Sequence, residues 1–231
     1  MKTFIRFCFG ITILMIASAT GAYAQNTFFP TKKGTVLVYE QKNTKGKTES
    51  FSKLTIKDVE GSGNNMTISY QAEVLDKTRK SSNPPIEVPC KVIIKDGTMI
   101  MDMSQMFAGQ QKDQQLKMEI TGVPMELPDN MQPGQTLKDA EVTMTIDMVI
   151  TKMKTTMKMT DGKCLAIEDL TVEAGTFKCY KTTQTVTTTV LGKTAVSKTL
   201  SWYAPGIGQV KTETYNSKDQ LQSSQELVEM N

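Results

Sequence analysis

From Thr35 to the C-terminus the sequence alternates with a period of two, and that alternation is the strongest limit on what the chain can become. Thr, Val, Ile, Met and Tyr dominate, and Gly, Asn, Asp and Pro break the pattern at regular intervals. Successive side chains of a strand point to opposite faces, so such a sequence encodes half-buried strands joined by turns. Glu141 to Ile150 shows it most clearly, with Val142, Met144, Ile146, Met148 and Ile150 on one face and Thr143, Thr145 and Asp147 on the other.

The same grammar predicts a strand over 35–42, a turn around Asn43 to Lys47, a strand carrying Phe51, Leu54 and Ile56, a turn over 61–65 and a strand over 66–75. Pro84, Pro85 and Pro89 mark an edge or a loop, because proline cannot donate to a ladder. Val92 to Lys95 and Thr98 to Met103 form a hairpin about Asp96 and Gly97. Ser104 to Gln111 is the one segment with helical character, capped by Ser104 and carrying Met106 and Phe107. Leu116 to Ile120 is extended, and Pro124, Pro128 and Pro133 make 123–135 an irregular connection.

After Ile150 the register changes, and Met153, Met157 and Met159 follow. A turn at Asp161-Gly162 then opens a C-terminal meander with strands over 163–173, 177–190, 194–203, 209–216 and 220–230. Its turns fall at Ala174-Gly175, at Gly192, from Pro205 to Gly208 and at Lys218-Asp219. Eleven or twelve strands with at most one or two short helices predict a mainly β fold. The expected form is a large curved antiparallel sheet or half-open barrel, because so many strands must curl or close.

Ahead of this domain lies a different kind of segment. Lys2 and Arg6 precede an apolar run from Phe7 to Ala17, and small residues end in Ala22, Tyr23 and Ala24. This is the order of a secretory signal peptide with an A-x-A cleavage site. The apolar run is shorter than the ~20 residues needed to cross a bilayer. The expected division is a signal peptide over 1–24 and a single β domain over 25–231, exported to the periplasm or beyond the cell, with no transmembrane span after cleavage. Cys8 lies inside the apolar run, which argues against lipoprotein processing.

Cleavage removes Lys2 and Arg6 and takes the formal net charge from +3 to +1. A nearly neutral chain with dispersed lysines lacks the footprint of a nucleic-acid binder. Histidine is absent, which removes the commonest general base and transition-metal ligand, and with it Ser-His-Asp, Cys-His and zinc-protease chemistry. A carboxylate pair of the glycosidase type survives this exclusion. Trp202 is the single tryptophan, however, so a sugar-stacking cleft is poorly supplied. Gly61, Ser62 and Gly63 precede asparagines rather than Lys-Ser or Lys-Thr, and read as a turn, not a phosphate loop.

Cys90, Cys164 and Cys179 remain after processing, an odd number. With a hairpin turn over 173–176, Cys179 falls opposite Leu170, and Cys164 is displaced beyond the ~6 Å Cα separation a disulfide tolerates. Buried free thiols are therefore expected. Met99, Met101, Met103 and Met106, with Met153, Met157 and Met159, allow three readings: a Cu(I) site of soft thioethers, adaptable core filling, or the lining of an apolar groove. Without histidine partners the copper reading is the weakest. No catalytic, cofactor-binding or metal-binding residue is assigned and no cofactor is expected.

Two C-terminal segments are distinctive: Val172-Glu173-Ala174-Gly175-Thr176-Phe177-Lys178-Cys179-Tyr180-Lys181 and Trp202-Tyr203-Ala204-Pro205-Gly206-Ile207-Gly208-Gln209-Val210-Lys211. With Phe28-Phe29-Pro30, Lys33-Gly34-Thr35 and Tyr39, they resemble the secreted bacterial family of unknown function numbered 3108-like, TapB-type, of Bacteroidetes. Glu173 stands where that family usually has proline, and Val38 where it often has an aromatic residue. The resemblance implies one curved, largely antiparallel sheet without known catalytic residues. The combined expectation is a non-enzymatic envelope or extracellular protein that binds a lipid, another apolar ligand or an envelope protein partner. A structural or assembly role stands second, and a carboxylate-only hydrolase third.

Overall fold

The computed structural model describes residues 27–82, 85, 87–101, 117–147 and 152–231. The expected signal peptide, the expected helix over 104–111, Met103, Met106, Met148 and Ile150 lie outside these residues. Every described element is a strand, turn or loop, and thirteen strands make one antiparallel sheet nearly closed into a barrel.

In chain order the strands are β1 (Val36–Asn43), β2 (Thr48–Ser62), β3 (Asn65–Leu75), β4 (Glu87–Lys95), β5 (Thr98–Met101), β6 (Lys117–Val123) and β7 (Met125–Leu127). They continue as β8 (Ala140–Asp147), β9 (Lys152–Val172), β10 (Gly175–Val190), β11 (Lys193–Ala204), β12 (Gly208–Asn216) and β13 (Leu221–Met230). Across the sheet the order is β6-β8-β9-β10-β11-β12-β13-β1-β2-β3-β4-β5-β7. The two edge strands, β6 and β7, are therefore consecutive in the chain and separated by Pro124 alone. The sheet closes through a covalent link where a ladder would otherwise be required, and the residue at that link has no N–H to leave unpaired.

Register decides which side chains face inward. Leu37 pairs with Leu54, and Leu54 with Ala72, so the three share a face. In β4, Cys90, Val92 and Ile94 are buried while Lys91, Ile93 and Lys95 are exposed, the alternation expected of a strand with one wet side. The largest apolar cluster fills the interior and joins Ile56, Ile68, Val92, Ile94 and Met99 to Phe28 and Met131 from outside the strands. Fully burying each such side chain contributes ~1.5–3 kcal/mol.

Three expectations are corrected. Asp161-Gly162 is no turn: β9 runs through it, and the two residues oppose the single Gln184 as a bulge, with Asp161 at φ 55. The segment before β8 crosses the bulge, with Leu137 N–H donating to the Gly162 carbonyl (2.8 Å) and Cys164 N–H to the Gln135 carbonyl (2.9 Å). A Cβ on Gly162 would lie 2.9 Å from that of Leu137, so only glycine allows the approach. Secondly, the proline-rich connection contains a strand, β7, which pairs with β5. Thirdly, the β9–β10 turn is Glu173-Ala174, so Cys179 faces Glu168 and Phe177 faces Leu170. The three thiols are free and buried as expected, with Cys164 in the interior cluster and Cys179 in a second cluster around Trp202. Pro89 sits inside β4, opposite Gln71 and beyond the reach of β5, so its missing N–H falls on a locally unpaired side.

Candidate functional site

Thr27, Phe28 and Phe29 are buried ahead of β1, and the two phenylalanines form one wall of a cavity. The Gly206 N–H donates to the Thr27 carbonyl at 2.7 Å and ties this segment to the β11–β12 turn. Gly208, at φ +99, keeps that turn close, since a Cβ there would lie 3.2 Å from the Phe28 carbonyl oxygen. The Phe28 ring meets Tyr180 edge-on at 5.0 Å between centroids and Tyr203 at 6.1 Å, and Phe29 meets Tyr70 at 5.1 Å. Such aromatic contacts add ~0.5–1.5 kcal/mol each beyond the buried area and fix the plug rigidly.

Above this plug lies a half-open pocket of about 200 Å³. Its apolar lining comes from Phe28, Phe29, Leu54, Ala72, Met99 and Met101, with Ile207 at the β11–β12 turn. Three tyrosines, Tyr39, Tyr70 and Tyr203, bring phenol groups to it, and Ser52, Gln209 and Gln225 complete the polar lining. Tyr39 is paired with Ser52 on one side and Leu227 on the other, and Gln225 donates to the Ser52 hydroxyl at 3.3 Å. Lys53 also borders the pocket, but its ammonium turns to Glu73 at 3.5 Å. Burial raises all three phenols above the ordinary tyrosine value, Tyr39 and Tyr70 most, so they stay neutral donors.

Met99 and Met101 thus meet the groove reading, side by side at strand spacing on one face of β5. Met153, Met157 and Met159 are elsewhere, half-buried along β9 opposite Ile146, Val142 and Ala140. No group of three or more His, Cys, Asp or Glu suited to a metal ion occurs among the described residues. Tyr39 entered the sequence reading only through the family resemblance and Tyr70 not at all; each occupies an ordinary strand position, and only their convergence across distant strands makes a site.

No described carboxylate lines the pocket, and several form a ladder crossing β9 to β1. Trp202 Nε1 donates to Glu168 at 2.7 Å, and Lys181 and Lys211 stand over the indole at 4.9 and 5.7 Å from the ring centre. Lys211 binds Glu213 at 3.0 Å and Glu226 at 2.9 Å, while Lys42 binds Glu40 at 3.1 Å and Glu226 at 3.5 Å. Partial burial raises the Glu226 carboxyl, but the two lysines outweigh it and hold the group below the usual range. Glu40 is likewise lowered: burial opposes, and Thr48 and Lys42 prevail. A hydrolytic general acid needs a raised carboxyl, so these shifts have the wrong direction for that chemistry. Trp202 and its neighbours thus join a hydrogen bond, cation–π contacts and ion pairs in one ladder across the sheet.

The sequence model of the DUF3108-like family matches residues 32–227, nearly the whole strand-forming chain. The protein belongs to the DUF3108-like family. No curated protein matches it. Two crystal structures share the fold of this DUF3108-like chain. One is a presumed exported protein with a YmcC-like fold from Bacteroides fragilis, at 20% identity and a TM-score of 0.71, covering 89% of this chain and 99% of that one. The other is a presumed lipoprotein from Parabacteroides distasonis, at 21% identity and a TM-score of 0.71, covering 89% and 98%. At such identities the likeness speaks for the fold. Among the described residues no helix is long and apolar enough to cross a membrane.

Proposed function

We propose that this DUF3108-like protein is a non-enzymatic, exported protein of the cell envelope that holds a small apolar ligand in the pocket above Phe28 and Phe29. The observation that carries the reading is the pocket itself: about 200 Å³, half-open, walled by aromatic and methionine side chains and furnished with a few convergent polar groups. Export is supported by the charged, apolar and small-residue order of the first 24 residues, and by fold relatives described as an exported protein and a lipoprotein. A non-enzymatic role is supported by the lack of histidine and by carboxylates bound to lysines outside the pocket lining.

Native mass spectrometry of protein purified gently from its own cells tests the proposal. A small organic adduct is expected on the wild-type chain and is lost in Ala72→Trp, whose indole occupies the pocket. A wild-type chain without adduct, or one whose adduct survives in a folded Ala72→Trp variant, contradicts it.

A further inference from the structure

The polar groups of the pocket specify more than apolarity. The Tyr39 hydroxyl makes no hydrogen bond with any described residue. Tyr39 is 9% exposed and lines the cavity beside Tyr70 and Tyr203, so its hydroxyl is a buried donor without a hydrogen-bond acceptor among the described residues. An unmet buried hydroxyl is costly, and proteins retain such groups where a ligand completes them. Beside it, Ser52 already accepts from Gln225. Among the described lining residues the only charged one is Lys53, whose ammonium is held by Glu73.

Resting on the ligand-binding reading above, we infer that the pocket takes a small neutral molecule whose apolar body carries one hydrogen-bond-accepting oxygen, received by the Tyr39 hydroxyl. Size agrees with this. A cavity of ~150 Å³ accommodates benzene and drug-sized pockets begin near ~300 Å³. The 200 Å³ here suits one substituted ring or an equivalent short branched body. An anion is disfavoured because a carboxylate there would meet phenols and two amides but, among the described residues, no free cation.

Three nearly isosteric probes separate the possibilities in NMR titrations of the mature chain: acetophenone, α-methylstyrene, which replaces the carbonyl oxygen by CH₂, and benzoate. Acetophenone is expected to bind roughly fivefold or more tightly than α-methylstyrene, the worth of one net hydrogen bond. Benzoate is expected to bind more weakly than either. In Tyr39→Phe the preference for acetophenone over α-methylstyrene falls to about one. Independently of any variant, the carbonyl stretch of acetophenone bound to the wild-type protein should lie below its value in alkane. Equal binding of acetophenone and α-methylstyrene with an alkane-like stretch overturns the inference while leaving the apolar pocket intact. Failure of both neutral probes to bind overturns the pocket reading as well.

Discussion

Replacing Tyr39 by phenylalanine should stabilise the ligand-free protein, although it removes a polar group from a well-ordered interior. The ring remains within the second apolar cluster, which also holds Leu37, Trp202 and Leu227. Only the hydroxyl is lost, and that hydroxyl has no partner among the described residues while burial keeps it protonated. Mutational data put the cost of such a group at ~1–3 kcal/mol. The pocket is open on one side, so water reaches it in part, and the lower end applies: a gain of about 1 kcal/mol. In a chain of this size that corresponds to roughly 2–4 °C in melting temperature. Urea denaturation monitored by circular dichroism should show a higher midpoint with an unchanged slope. Glu168→Gln is the contrasting case, since its carboxylate accepts from Trp202 Nε1 at 2.7 Å; it should lose ~0.5–1.5 kcal/mol. A loss of 1 kcal/mol or more for Tyr39→Phe would mean that the hydroxyl is already satisfied, and the reasoning about the pocket's unmet donor would be refuted.

The carboxylate ladder makes a pH prediction that the single tryptophan can report. The Trp202 indole N–H holds the Glu168 carboxyl below its ordinary value of 4.5, with help from Lys181 against a smaller opposing effect of burial. A lowered carboxyl contributes stability above 4.5 and loses it as pH falls through the depressed folded value. Trp202 emission should accordingly change with a midpoint under 4.5, and Glu168→Gln should abolish that step; a midpoint at or above 4.5 contradicts it. Burial raises all three thiols, and Cys179, next to Glu168 and Asp169, reaches about 12. Ellman's reagent at pH 8 should leave the native mature chain unmodified over minutes and find three thiols after unfolding. Gly208→Ala places a Cβ at φ +99 and 3.2 Å from the Phe28 carbonyl, so a loss of ~1–3 kcal/mol in urea melts is expected.

The strands themselves were legible because inward and outward residues differ so sharply in β4, β8 and the C-terminal meander. Bends within strands were not. Asp-Gly is a strong signal of a tight hairpin, yet Asp161 and Gly162 serve a bulge, where Asp161 takes the positive φ and Gly162 makes room for Leu137. The choice between them depends on Leu137 and Gln135 crossing behind β9, a contact remote from the local pattern. β7 escaped notice because three residues between Pro124 and Pro128 carry too little periodicity, and its pairing with β5 follows only once the sheet has curled. Met99 and Met101 could be placed on one face from spacing, but the choice between core filling and groove lining needed the curled sheet. Tyr39, Tyr70 and Tyr203 could not be brought together from the pattern, since their meeting rests on the curvature of the sheet and on Phe28 and Phe29 lying inside it.

The methyl groups of the methionines offer the most direct test that this curved sheet encloses a usable pocket. With ¹³C-labelled methionine methyls, titration of acetophenone into the mature protein should shift the Met99 and Met101 resonances together and saturably. Met230, exposed at the end of β13, should stay unmoved. Shifts spread over exposed methionines, or Met99 and Met101 left unperturbed at concentrations that perturb others, would contradict the existence of the site.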